Sequence, residues 1–212
     1  MKTPFRPLAA TAALALLLAP AGAARAGERG APPTVMRTLA ARLGSGGRAE
    51  AVVSCSTADP LTGAKRRVRG RLALEPPDRA RLDFTASGER ITLRGDGGEW
   101  LQPGTRQLVV LPAGRAAAAL RWWAVLFGNG PERPGERPLR GGGYALTSGA
   151  EQAADSARVW LGADGLPARL EITDAAGEPM TFRMSGWRFL RARGRPAFVL
   201  TPPPGFAVVD LP

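Results

Sequence analysis

The sequence predicts a mainly β fold of the α+β class, with one antiparallel sheet and two helices. Short segments alternate apolar and polar residues, which is the pattern of strands that bury one face. Turn-forming residues separate these segments, as in Pro76-Pro77-Asp78 and Asp96-Gly97-Gly98. The regular spacing of strands and turns predicts a single continuous sheet that is polar outside and apolar inside.

The predicted strands occupy both halves of the chain. The alternation covers these segments: Ala51–Ser56, Arg71–Glu75, Arg81–Thr85, Arg90–Arg94, Arg158–Leu161, Ala168–Ile172 and Met180–Met184. Residues Phe198 to Leu200 are a candidate final strand. The stretch from Gly128 to Gly143 is rich in proline and glycine, which predicts a long mobile loop.

Two segments are predicted to be helical. Val35, Met36, Leu39 and Leu43 are spaced as one face of a short amphipathic helix. The segment Arg115–Phe127 is rich in alanine and leucine and is apolar over most of its circumference, yet it is too short to cross a bilayer. It is either a core helix that plugs a curved sheet or a lid over an apolar cavity that moves when lipid enters.

The first 26 residues are typical of a secretory signal peptide. Lys2 and Arg6 precede an apolar run from Leu8 to Leu18, and Ala24-Arg25-Ala26 supplies small residues for cleavage. The run is shorter than the roughly 20 apolar residues that span a bilayer, although an uncleaved N-terminal anchor is the alternative. We therefore expect export, cleavage near Ala26 and a single mature domain at residues 27–212.

The chain is basic, with a net charge of +11. Loss of the three basic residues in the signal peptide lowers the net charge to +8. The densest cluster lies between Lys65 and Arg71, and no aromatic residue interleaves with it, so nucleic-acid binding is not expected. This cluster is either a solvated surface or a contact patch for an acidic partner.

The composition argues against an enzyme. The sequence contains no histidine, which excludes histidine-based triads and histidine metal sites, and it contains no phosphate-binding glycine loop. No catalytic residue, metal ion or cofactor is therefore expected. Cys55 is the only cysteine. It cannot form an internal disulfide and is interpreted as a small buried apolar residue, with a reactive thiol as the alternative.

Several segments, in their order along the chain, are similar to motifs of one family. They are Gly70–Phe84 (a G-x-L-x-x-x-R-P-like segment), Asp96-Gly97 followed by Trp100, Asp174–Gly177 leading into Met180 and Phe182, and Phe198–Val208 (an F-x-F-T-P-P-x-G-V-x-V-like ending). Together they resemble the periplasmic outer-membrane lipoprotein carrier family, the LolA-like proteins. The resemblance covers nearly the whole mature chain.

The resemblance implies a strongly curved half-barrel with helices over a hydrophobic cavity. It also implies a periplasmic, monomeric carrier or chaperone that takes acyl-chain cargo from an inner-membrane donor complex to an outer-membrane acceptor. The alternatives are a lipid- or lipoprotein-sensing module and a carrier of another lipid. The residues expected to line the cavity are Leu72, Leu74, Leu82, Phe84, Ile91, Leu93, Trp122, Trp123, Leu126 and Phe127.

One departure from the family concerns the lid. Pro76 stands where the family has an arginine that helps to hold the lid closed. Arg79 and Arg81 are nearby basic residues, but the role is not carried over to either of them.

Overall fold

The alternating segments pair into one open, curved sheet of twelve strands among the described residues. The computed structural model describes residues 34–43, 47–58, 65–116, 120, 123, 126, 135–140, 142–147, 156–173 and 179–211. The strands are β1 Gly47–Ala58, β2 Lys65–Glu75, β3 Arg79–Phe84, β4 Arg90–Arg94, β5 Gly97–Gln102, β6 Gln107–Leu111, β7 Gly135–Pro138, β8 Tyr144–Thr147, β9 Ser156–Leu161, β10 Pro167–Thr173, β11 Pro179–Arg191 and β12 Ala207–Asp210. The predicted fold class is thus confirmed.

Most neighbouring strands are consecutive in the chain and run antiparallel. The order across the sheet is β12-β6-β5-β4-β3-β2-β1-β11-β10-β9-β8-β7. The long strands β1, β2 and β11 form its centre, and β12 adds to the β6 edge in parallel. The two halves of the sheet are therefore joined at its centre, where β1 from the start of the chain pairs with β11 from near its end.

The alternation in the sequence divides the sheet into two faces. Apolar residues on the concave face, such as Val53, Leu72 and Phe182, belong to one large core, while arginines dominate the other face. A bulge in β11 opposite Glu50 and Val52 inserts an extra residue at Gly186, whose φ of 62° suits glycine. Because of this bulge, both Met184 and Trp187 pack against the same core.

The helices lie on the concave face. A 3-10 turn, Thr34–Met36, leads into α1, Arg37–Leu43, and Val35, Met36, Leu39 and Leu43 are all buried in the core. Residues 113–116, 120, 123 and 126 are helical and form what we call the second helix. The amphipathic spacing thus correctly indicated which face of α1 is buried.

The C-terminal segment crosses the opposite, outer face of the sheet. Its backbone is held by side chains of the strands: Glu75 accepts hydrogen bonds from the Arg193 and Gly194 amides at 2.8 and 2.9 Å. Arg81 Nη1 donates to the Ala197 carbonyl at 2.8 Å. A small second apolar cluster joins the segment to the sheet: Leu101 and Leu108 of the strands with Leu200 and Phe206 of the segment.

The structure differs from two of the sequence predictions of local structure. Phe198–Leu200 is not a strand: Phe198 ends a 3-10 turn, Arg195–Phe198, and the final strand is β12. The loop predicted from Gly128 to Gly143 contains β7, Gly135–Pro138, which pairs with β8. β7 is a sheet edge, where Pro138 is tolerated because one side of the strand needs no hydrogen-bond donor.

Cys55 faces the core from β1. The side chain is buried and is a free thiol. Burial raises the pKa of this thiol to about 12, since no described group nearby offsets the cost of a buried thiolate. The interpretation of Cys55 as a small buried apolar residue agrees with this position, because a protonated, shielded thiol reacts slowly.

Candidate functional site

The candidate site is the apolar concave face of strands β2, β3 and β4. Six of the ten expected lining residues lie there. Three of them are in direct cross-strand register, because Leu72 pairs with Leu82 and Leu82 pairs with Ile91. All six are buried in the large core: Leu72, Leu74, Leu82, Phe84, Ile91 and Leu93. Antiparallel pairing therefore joins three short alternating segments into one continuous apolar surface.

A glycine lies where strands β2 and β3 approach each other closely, at one end of this surface. Gly70 of β2 lies directly across from Phe84 of β3. A Cβ atom at position 70 would lie 2.3 Å from the carbonyl oxygen of Asp83, so no other residue fits there without a shift of the backbone. Gly70 therefore permits the close approach of the β2 and β3 backbones beside Phe84.

The second helix covers the concave face. Leu120, Trp123 and Leu126 are buried in the same core as the sheet residues. The Trp123 ring contacts the Phe182 ring of β11 edge-to-face, with centroids 5.1 Å apart. Of the four helix residues expected to line the cavity, Trp123 and Leu126 are buried in this core, and Trp122 and Phe127 fall outside the described residues.

Sequence reasoning missed part of the same surface. Trp100 of β5 is fully buried on this face. Met180, Phe182 and Met184 of β11 extend the same face into the other half of the sheet, beyond β1. The alternation signal was present in β11, but only the pairing of β11 with β1 shows that its apolar side joins the same face. The apolar surface is therefore broader than the three strands proposed from sequence.

A carboxylate lies at the rim of this face. Glu89 precedes β4, and its carbonyl accepts a hydrogen bond from the Phe84 amide at 2.8 Å. Burial raises the pKa of the Glu89 carboxyl, and the nearby positive charge of Arg66 and the indole of Trp100 offset this rise only in part. Trp100 Nε1 lies near Glu89 without a hydrogen bond of normal geometry. Glu89, a carboxyl group with a raised pKa, therefore lies at the rim of an apolar surface.

Glu89→Gln is expected to stabilise the protein at neutral pH. The folded state raises the pKa of Glu89, so its contribution to stability is full below the unfolded pKa and falls as pH rises through the folded pKa. The neutral amide removes this loss. Urea unfolding of both proteins from pH 3 to 8 should show a difference that grows with pH and disappears at the acid end; a difference that is independent of pH would contradict the assignment.

Neither arginine near Pro76 approaches the second helix. Arg79 Nη2 contacts Glu75 Oε1 at 3.0 Å and the Pro76 carbonyl at 2.9 Å. Arg81 pairs with Asp83 and with the C-terminal segment. Both side chains alternate with the core residues Ala80 and Leu82, so they lie on the outer face. The lid role of the family arginine therefore has no counterpart at these two positions.

The described residues contain no group of three or more cysteine, aspartate or glutamate side chains arranged to hold a metal ion. Among the same residues, none of the helices has the length and apolar character needed to cross a membrane.

Comparison with known proteins finds the fold elsewhere. No family model and no curated protein sequence matches the chain. An uncharacterised conserved protein from Thermus thermophilus has a similar structure, with a TM-score of 0.46 and 16% identity over 84% of this chain and 97% of that one. A LolA superfamily protein from Nitrosomonas europaea has a TM-score of 0.42 and 12% identity over 81% of this chain and 98% of that one.

A further similar structure is an outer membrane lipoprotein-sorting protein domain from Vibrio parahaemolyticus, with a TM-score of 0.39 and 11% identity over 73% of this chain and 90% of that one.

Proposed function

We propose that this protein is an exported carrier that shelters acyl chains of lipoproteins, or of another lipid cargo, on its concave face. One observation carries the proposal: among the described residues, helical segments and not a second sheet cover the apolar face. Leu120, Trp123 and Leu126 of the second helix supply part of that cover. Helical cover attached by a turn at Pro112 can leave the sheet without breaking any strand pairing.

The energetics favour a concave face that the second helix and the acyl chain occupy in turn. Burial of an acyl chain gains roughly 0.8 kcal/mol per methylene, so a permanently open apolar groove would hold a long chain too tightly to release it. Contacts between the second helix and the sheet must break before an acyl chain takes their place. The cost of breaking contacts such as Trp123 with Phe182 lowers the net affinity. A carrier needs such an intermediate affinity, because it must both take up and deliver its cargo.

Photolabelling with a diazirine-bearing fatty acid tests the proposal. In β2, consecutive residues face opposite sides of the sheet, so one peptide contains both the expected sites and their controls. We expect adducts at Leu72 and Leu74 and none at Arg71 and Ala73, as mapped by tandem mass spectrometry. Excess unlabelled fatty acid should suppress these adducts because they arise from one saturable site.

Two outcomes would count against the carrier. Equal labelling of both faces would show non-specific adsorption. Adducts confined to the outer cluster of Leu101 and Leu108 would place acyl binding elsewhere on the molecule.

Native mass spectrometry of protein released from the periplasm identifies the bound cargo. It also tests export, since the mass of the protein shows whether cleavage occurred near Ala26. Transfer of that cargo to an outer-membrane acceptor separates a carrier from a sensor.

A further inference from the structure

The outer face of β1, β2 and β11 carries a compact group of arginines. Arg67, Arg69 and Arg71 alternate along β2, and Ser54 of β1 lies between Arg69 on one side and Arg183 of β11 on the other. Strand spacing places the Cα atoms of Arg69 and Arg183 about 10 Å apart. All four side chains are exposed. We call Arg67, Arg69, Arg71 and Arg183 the outer basic patch.

Carboxylates border the patch, but arginines outside it already pair with them. Asp83, directly across from Arg71, pairs with Arg81 at 3.0 Å. Glu50 pairs with Arg48 and Arg188, at 2.9 and 3.0 Å. Glu171 pairs with Arg169, whose guanidinium also lies 4.5 Å from the centre of the Trp160 ring. No carboxylate of the described residues forms an ion pair with the four patch arginines, so their charge is available to a partner.

Hydroxyl groups form the floor between the arginines. Arg67 Nε contacts Ser56 Oγ at 3.4 Å. Ser54 Oγ is buried beneath the patch and has no hydrogen-bond partner within the described part of the chain. Small serines on β1 between long arginines on β2 and β11 create a shallow trough. Guanidinium groups and hydroxyl donors are the groups that bind phosphate oxygens, and arginine does so through paired hydrogen bonds.

The structure assigns this patch to the binding of anionic phospholipid headgroups at a membrane surface. Several adjacent phosphates match several adjacent guanidinium groups, and a cluster of four basic side chains is enough to attract a protein to an anionic bilayer. Val52, 54% exposed at the edge of the trough, adds an apolar contact to the same surface. The patch lies on the face opposite the acyl-binding site, so this inference does not rest on the proposed function.

Vesicle sedimentation tests the assignment. The purified protein should bind vesicles of phosphatidylglycerol and phosphatidylcholine and should not bind vesicles of phosphatidylcholine alone. Replacement of all four patch arginines by glutamine should weaken binding to the anionic vesicles at least about tenfold, since each arginine near such a surface contributes roughly a factor of five. A matched variant removes four exposed arginines elsewhere: Arg106, Arg137, Arg140 and Arg191. It should keep binding within about threefold.

Equal losses in the two variants would overturn the assignment, because net charge and not the patch would then drive binding. Patch-dependent binding to immobilised polyglutamate without binding to anionic vesicles would also overturn it and would indicate an acidic protein partner. If the fourfold variant does not fold, Arg69→Gln with Arg183→Gln is compared with Arg140→Gln with Arg191→Gln. Fatty-acid photolabelling of the concave face should be the same in every variant, which keeps this test separate from that of the carrier.

Discussion

Glu75→Ala is expected to destabilise the protein by about 3–5 kcal/mol and to detach the C-terminal segment from the sheet. The Glu75 carboxylate is fully buried, pairs with Arg79 and accepts the amides of Arg193 and Gly194. Its removal leaves two backbone donors without an acceptor and a guanidinium without its partner. Urea unfolding measures the loss of stability, and hydrogen exchange at the amides of Arg193 and Gly194 measures detachment.

A matched control is Glu50→Ala. Glu50 also forms two ion pairs with arginines, Arg48 and Arg188, but no backbone amide is shown to depend on it. Because the Arg48–Glu50 pair is largely buried, its loss should also cost about 3–5 kcal/mol. The amides of Arg193 and Gly194 should nevertheless keep their protection in Glu50→Ala. Unchanged protection of these amides in Glu75→Ala, or an equal loss of protection in both variants, would show that Glu75 does not anchor the segment.

Trp123→Ala is expected to lower stability and to raise affinity for an acyl probe. Deletion of a buried aromatic side chain costs about 3–5 kcal/mol. Trp123 is 1% exposed and loses its contact with Phe182. If contacts of the second helix compete with the cargo, their removal lowers the cost of opening the concave face. Thermal unfolding measures the first effect, and titration with a fluorescent fatty acid measures the second.

Phe198→Ala is the control for this prediction. Phe198 is also 1% exposed, but it belongs to the C-terminal segment on the outer face, where its carbonyl accepts a hydrogen bond from Arg94. Its deletion should cost a similar amount of stability and leave affinity for the probe unchanged. A fall in affinity for Trp123→Ala, or an equal rise in both variants, would mean that the second helix is an ordinary core helix and not a lid.

The pattern of single residues was sufficient for seven of the strands and for the choice of their buried face, but it did not identify β5, β6, β7, β8 or β12. Alternation identified Leu72, Leu82 and Ile91 as inward-facing, because side chains of a strand must alternate between faces. Helical spacing did the same for Leu39 and Leu43 of α1. Such local periodicity is a property of the chain itself, so it can be recognised without any tertiary contact.

Long-range pairing decided the remainder of the site. The register of β1 with β11 brings Met184 and Phe182 to the face formed by β2 and β3, a contact between residues far apart in sequence. The candidate strand at Phe198–Leu200 was wrong for the same reason. Arg94 donates a hydrogen bond to the Phe198 carbonyl, and Arg81 donates one to the preceding Ala197 carbonyl. Side chains of the outer face thus hold this part of the chain without strand pairing.

For the outer basic patch, too, the sequence decided some features and the tertiary structure decided others. The sequence showed that Arg67, Arg69 and Arg71 belong to one dense basic cluster, although the strand predicted there began only at Arg71. The structure extends β2 back to Lys65, which places the three arginines on one side of it. Only the tertiary structure placed Arg183 beside them and gave the nearby carboxylates Asp83, Glu50 and Glu171 to other arginines. The physical reason is that an ion pair depends on distances of a few ångströms between side chains, and strand register, which is set by the whole sheet, fixes those distances.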